Sequence, residues 1–175
     1  MRSGDRVSER RTVTGPEPEE RADYAGAVYG SLLAASVVVG ASPHGEPAAP
    51  GPLIALLLAT GFVFWLAHVY ARLLGDWRHA VRLSWTEIRS VGRREWPLMQ
   101  ATFPPAVAAG LCRLLDLSDS AASWTALVVA LCGQVGWSVV AGARSKASAS
   151  LIVLTAVVNL FLGLIIIVLK VMLPH

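Results

Sequence analysis

One histidine, His68, lies inside a long apolar segment of this 175-residue chain. Its imidazole could contact an ion or exchange a proton. Trp65, His68 and Arg72 fall on one helical face because they are three and four residues apart. An ionisable group is costly in lipid and normally faces protein or water. We therefore weigh a proton-sensitive or ion-contacting site against a neutral imidazole that a partner helix satisfies.

Three further polar residues, Tyr29, Gln134 and Asn159, also lie within apolar segments. Together with His68 they form a candidate intramembrane polar site. The alternative is that each hydrogen-bonds a neighbouring helix and holds the helices together. The sequence thus offers either a polar site near the centre of a helix bundle or four packing contacts.

Catalytic and metal-binding patterns are missing from the sequence. No Asp or Glu falls within a predicted span, which weakens a carboxylate-based metal or proton pathway. We find no phosphate-binding glycine loop, zinc-type helix pair or nucleophile elbow. Cys112 and Cys132 are interpreted as small buried apolar residues. We expect no enzyme activity, no catalytic residue, no cofactor and no metal site.

The apolar residues that surround these groups exceed what a small soluble core can hold. Of the residues, 54% are hydrophobic and 15% are charged. A spanning helix needs roughly 20 mostly apolar residues. The sequence predicts an all-α integral membrane bundle of five transmembrane helices within a single domain, residues 23–175. The spans are about 24–42, 52–74, 97–115, 121–142 and 150–173, and a disordered cytoplasmic tail covers 1–22.

The third span is the weakest because Pro104 and Pro105 remove two backbone donors and should kink or break the helix. Orientation nevertheless favours five crossings. Five spans place 13 of the 15 Lys and Arg residues on one side, which is then cytoplasmic. With only four spans, Arg144 and Lys146 would lie on the external side, where the positive-inside rule does not expect them. We predict a multi-pass cell-membrane protein with the N-terminus inside and the C-terminus outside.

A basic amphipathic helix is predicted at 76–95, along the cytoplasmic surface of the lipid bilayer. Its basic face consists of Arg78, Arg82, Arg89 and Arg93. A helix of this type lies along a leaflet with anionic lipid headgroups. Most of the positive charge of the chain lies beside the spans, where orientation in the membrane explains it more simply than nucleic acid does. The alternative is a regulatory or partner-docking helix.

Small residues in the first span allow helix backbones to approach closely. Gly26 and Gly30 are four residues apart and continue to Ala34. This pattern supports tight packing within one chain and permits a homodimer through Gly26 and Gly30.

The layout resembles the vacuolar iron transporter family of divalent-metal transporters. The stretch from Ala27 to Gly30 is similar to the opening of that family's first span, and the segment between spans two and three falls in the same place. The resemblance implies five spans and a dimer. The metal ligands differ, because Ser31 follows where the family has Asn-Asp-Gly, so no binding residue is carried over.

Three functions remain open from the sequence. One is a transporter-like protein without recognisable catalytic or metal chemistry. The second is a small structural or partner-binding membrane subunit, and the third is a cation channel or transporter that uses His68. Transport predicts a polar cavity near the midplane lined by the candidate site residues, and a dry, leucine-packed interior would count against it. A subunit role predicts a continuous apolar stripe on the outer surface.

Overall fold

A computed structural model describes residues 18–42, 46–76, 84–144 and 148–172, with side chains not described at 18–24, 76 and 170. The described residues form seven helices. They are α1 (Pro18–Gly40), α2 (Pro50–Asp76), α3 (Trp85–Arg94), α4 (Trp96–Gln100), α5 (Phe103–Leu114), α6 (Asp119–Arg144) and α7 (Ala149–Met172). Helix α1 begins inside the predicted tail, because proline followed by two acidic residues is a favourable helix start. Residues 1–17 of that tail lie outside the described residues.

Among the described residues, three helical segments are long and apolar enough to cross a membrane, one each within α2, α6 and α7. The apolar part of α1, Ala25–Gly40, is shorter. The outward faces of α2 and α7 carry Leu, Val, Ile and Phe side chains that no other described helix covers. This much exposed apolar surface is typical of a protein that lipid surrounds.

The segment predicted as the third span is a broken helix. The α-helical path is interrupted at Ala101 and Thr102, and Pro104 and Pro105 then occupy the first turn of α5. Proline is tolerated there because the first N–H groups of a helix have no intrahelical partner. The predicted break is therefore present, two residues before the proline pair.

Helices α4 and α5 run antiparallel along most of α2. The contacts or close approaches that establish this are Arg72 with Glu95, Gly61 with Thr102, Ile54 with Gly110, and Gly51 with Arg113. At about 1.5 Å per residue, the path from 95 to 113 rises about 27 Å, close to the thickness of a bilayer core. The interrupted segment thus accompanies α2 over a bilayer-sized distance.

The core consists mainly of small side chains between α1 and α6. Ala34, Ala35 and Val38 of α1 are fully buried, as are Ala126 and Leu127 of α6. Small residues let helices pack at short distance, where dispersion contacts accumulate. Such an interior is apolar and closely packed.

Helix α7 packs antiparallel on α6 through one narrow seam. Gly163 lies against Leu131, and Gly142 lies against Ile152. Asn159, Gly163 and Ile166 recur at helical spacing and are buried in this seam. The rest of the described α7 surface is mostly exposed and apolar.

The turn between α5 and α6 closes with a left-handed residue. Asp116 has a φ of 50°, and the N–H of Leu117 donates to the carbonyl of Cys112. This is a Schellman motif, which satisfies the last carbonyls of α5. It reverses the chain in four residues, so that α6 starts beside the end of α5.

Candidate functional site

The four residues of the predicted polar site form two separate pairs. Tyr29 of α1 contacts His68 of α2, and Gln134 of α6 contacts Asn159 of α7. Each pair joins two helices. The described contacts do not join the pairs into one polar path, so the structure divides the candidate site in two.

The Gln134–Asn159 pair is the buried one. Gln134 has no exposed surface, and its Nε2 donates to Asn159 Oδ1 at 3.1 Å and, at the longer distance of 3.4 Å, to the Asn159 backbone carbonyl. Asn159 Nδ2 donates to the carbonyl of Thr155 at 2.9 Å. The remaining acceptor, Gln134 Oε1, is buried without a hydrogen-bond partner among the described residues. The pair links α6 to α7 inside the apolar seam.

The Tyr29–His68 pair is closer to the surface. The two rings are tilted, with centroids 5.6 Å apart, and 43% of Tyr29 is exposed. His68 Nδ1 lies 2.9 Å from the carbonyl of Phe64. Because a carbonyl can only accept, Nδ1 carries the proton, and Nε2 of a neutral ring remains an acceptor. The imidazole is thus oriented by its own helix and by one aromatic neighbour.

A third polar group, at the C-terminal end of α2, was not identified from the sequence as a site. Arg72 Nε lies 3.0 Å from Glu95 Oε1, and the Glu95 side chain is 11% exposed whereas that of Arg72 is 61% exposed. Trp65 Nε1 donates to the Gly92 carbonyl at 2.9 Å, and the Trp65 ring meets Trp96 edge-on. We call Arg72, Glu95, Trp65 and Gly92 the α2–α3 junction.

The sequence partly indicates this junction. Trp65 and Arg72 share a helical face, and Glu95 directly precedes the Trp96-Pro97 start of the next apolar segment. Their pairing depends on how the chain folds back after α2, which local periodicity does not encode. The junction fixes α3 against the end of α2.

Within the range 76–95 predicted as a basic helix, the structure describes a helix at Trp85–Arg94, which is α3. Arg89 and Arg93 are exposed on it, whereas Arg78 and Arg82 lie in 77–83, outside the described residues. Ser84 has an extended backbone and precedes the helix. Trp85 is 78% exposed, while Ile88 is half-buried.

Metal ligands and reactive groups are sparse in the described part of the chain. No three His, Cys, Asp or Glu side chains come together there in an arrangement that could hold a metal ion. Cys112 is buried as predicted, but Cys132 is exposed on α6, so the prediction of burial is wrong for it. Cys132 lies on the outward side of the helix, away from the seam with α1.

No known protein family, curated protein or solved structure matches this chain. The resemblance to the vacuolar iron transporter family therefore stays a prediction from the sequence.

Trp65→Phe is expected to loosen α3. The substitution keeps an aromatic ring but removes the N–H that donates to the Gly92 carbonyl. We expect the free energy that holds α3 against α2 to fall by about 1 kcal/mol. Limited trypsin digestion in detergent should then cleave faster at the arginines of α3. Trp85→Phe is the control, because that ring is mostly exposed and should leave the cleavage rate unchanged. Equal rates in both variants would show that the hydrogen bond does not hold α3.

Proposed function

We propose that this chain is a multi-pass membrane protein with five crossings that acts as a non-catalytic, partner-binding subunit. The N-terminus is cytoplasmic and the C-terminus lies outside. The observation that carries the proposal is the division of the polar residues into two separate pairs, each of which joins two helices, because a carrier needs a connected polar route.

The five crossings are supported by the path of α4 and α5. They accompany α2 from Glu95 to Arg113, a distance of about 27 Å by helical rise, although the helix is broken. Five crossings also place 13 of 15 basic residues on one side of the membrane. The same orientation brings the α2–α3 junction to the cytoplasmic surface.

A subunit role is supported by the packing around the pairs. Gln134 and Asn159 are buried in an apolar seam, and the neighbouring core is formed by alanine, valine and leucine. Hydrogen bonds of this kind hold membrane helices together. Because ions need hydrated or polar surroundings along a route, such an interior favours a structural role over transport.

The outward face of α1 supports the binding of a partner. Ala25, Tyr29, Ser36 and Gly40 are exposed and lie within one side of the helix. The outward faces of α2 and α7, by contrast, carry large apolar side chains. Apart from the ring of Tyr29, the exposed residues of this face are small, and small residues suit the close approach of another membrane helix better than contact with acyl chains. We assign this α1 face to a transmembrane helix of another protein.

Gly26 and Gly30, predicted as a dimer contact, lie on a neighbouring side of α1. In this chain Gly30 packs against Leu98 and Ala101, and Gly26 against Leu98. Their close approach is therefore to α4 of the same molecule. A homodimer through them stays a prediction, and a second copy is one outcome of the test below.

Site-specific photocrosslinking in native membranes tests the proposed subunit role. A benzophenone amino acid at Ser36 should give one discrete protein adduct, whereas the same probe at Val157, exposed on α7, should give none. An adduct of twice the chain's mass would make the partner a second copy. If Ser36 and Val157 both fail to give adducts, the α1 face contacts lipid and the partner-binding role is wrong.

A second function, cation passage at His68, is favoured by one observation. The imidazole is half-buried beside an exposed tyrosine, so part of the ring is accessible from outside the helix bundle. Proteoliposome flux of monovalent and divalent cations separates the two functions. We expect no flux with the wild-type chain. Flux that His68→Ala abolishes would replace the subunit role with transport.

A further inference from the structure

Helix α3 presents two faces of different character. Trp85, Arg89 and Arg93 follow one another at four-residue intervals and are exposed, so they form a single stripe along the helix. Ile88, Val91 and Gly92 are half-buried along the adjoining side of the helix, and buried Glu95 directly follows Arg94. We call Trp85, Arg89 and Arg93 the α3 stripe.

The α2–α3 junction holds this stripe in a fixed position. The Trp65 indole bonds the backbone of α3 at Gly92, and Arg72 pairs with Glu95 just beyond the helix. Both contacts come from the half-buried side. The Glu95 carboxylate pairs with Arg72 of α2. The side chains of Arg89 and Arg93 are exposed on the outward side of α3.

We infer that the α3 stripe binds the phosphate of anionic lipid headgroups in the leaflet on that side of the membrane, which rests on the topology proposed above. Arg89 and Arg93 are one turn apart, about 6 Å along the helix, which is the scale of a lipid headgroup. Guanidinium groups bind phosphate oxygens in a bidentate manner. An exposed indole beside them is typical of the headgroup layer.

The composition of the stripe favours lipid over an acidic protein. A protein that docks on arginines would leave Trp85 needing an apolar pocket, whereas the membrane interface supplies apolar and polar surroundings at once. The α3 stripe also lies beside the C-terminal end of α2, an apolar helix of spanning length. The stripe is thus placed where a spanning helix leaves the bilayer core.

Native mass spectrometry of the purified full chain in neutral detergent tests the inference. Phosphatidylglycerol and phosphatidylcholine are titrated separately, and the wild type should retain phosphatidylglycerol preferentially. The variant with both Arg89→Gln and Arg93→Gln should bind phosphatidylglycerol about 30-fold more weakly, since each arginine near an anionic surface contributes about fivefold. Thermal stability measured in the same detergent should be unchanged, because both side chains are exposed.

Arg113→Gln is the matched control. Arg113 is also exposed but lies at the opposite end of the bundle, beside Gly51, so phosphatidylglycerol binding should be retained. Equal loss in the control and the double variant would overturn the inference, because it would mean non-specific attraction to positive charge. Inorganic phosphate that displaces the lipid at equal concentration would also overturn it, since it would indicate a simple anion site.

A topology reporter separates this inference from the proposed function. A fluorescent or enzymatic fusion after residue 175 reads the side on which the C-terminus lies. An outside C-terminus without lipid preference would defeat the lipid site alone. A cytoplasmic C-terminus with the lipid preference intact would defeat the five-crossing topology alone.

Discussion

Gly30→Ala is expected to destabilise the chain by about 3 kcal/mol, at the upper end of what overpacking usually costs. A Cβ at this position would lie 2.5 Å from the carbonyl oxygen of Leu98 and 2.9 Å from the Cβ of Ala101. Both neighbours are buried and one is backbone, so neither can rotate away. Helices α1 and α4 would have to separate. The measurement is the loss of monodisperse protein on heating in detergent, followed by size-exclusion chromatography.

Gly136→Ala provides the control for the Gly30 substitution. Gly136 is also inside a helix, but a Cβ there meets no atom within 4 Å. Alanine favours the helix by up to about 1 kcal/mol, so this variant should be as stable as the wild type or more so. If Gly30→Ala unfolds at the same temperature as Gly136→Ala, α1 does not pack on α4 at the distance described.

The long apolar helices could be predicted because a continuous apolar run is a local signal in the sequence. The fourth span was expected at 121–142 and α6 runs Asp119–Arg144; the fifth was expected at 150–173 and α7 runs Ala149–Met172. Continuous apolar runs with charged ends determine such helices without reference to their neighbours. The break in the third segment was likewise predictable, because proline acts on its own helix.

The partners of each polar residue could not be predicted in the same way. The pairing of Gln134 with Asn159 depends on the register of α6 against α7, which small contacts such as Gly163 with Leu131 determine. The burial of Glu95 depends on the return of the chain after α2. The pattern at Gly26 and Gly30 indicated close packing, but it did not specify α4 as the neighbour. Tertiary register decides these features, and one sequence does not show it.

The Gln134–Asn159 pair leads to the second large expected effect. Asn159→Leu should destabilise the chain by about 2 kcal/mol, because Gln134 stays fully buried and loses the Oδ1 acceptor of its amide. Gln134→Leu should cost less, about 1 kcal/mol, since it also removes the unpartnered Oε1 from the seam. Gln100→Leu is the control, because that glutamine is exposed and its substitution should have little effect.

The double variant with both Gln134→Leu and Asn159→Leu decides whether the two amides act together. With both polar groups gone, neither is left buried without its partner, so the loss should fall below the sum of the single losses by about 0.6 kcal/mol or more. Unfolding with sodium dodecyl sulfate in mixed micelles measures the loss of unfolding free energy for the two single variants and the double variant under the same conditions. Strict additivity would mean that the amides stabilise α6 and α7 independently. Non-additive losses would support these polar residues as links between helices, as a subunit requires, because an ion route needs polar groups that remain available to a passing ion.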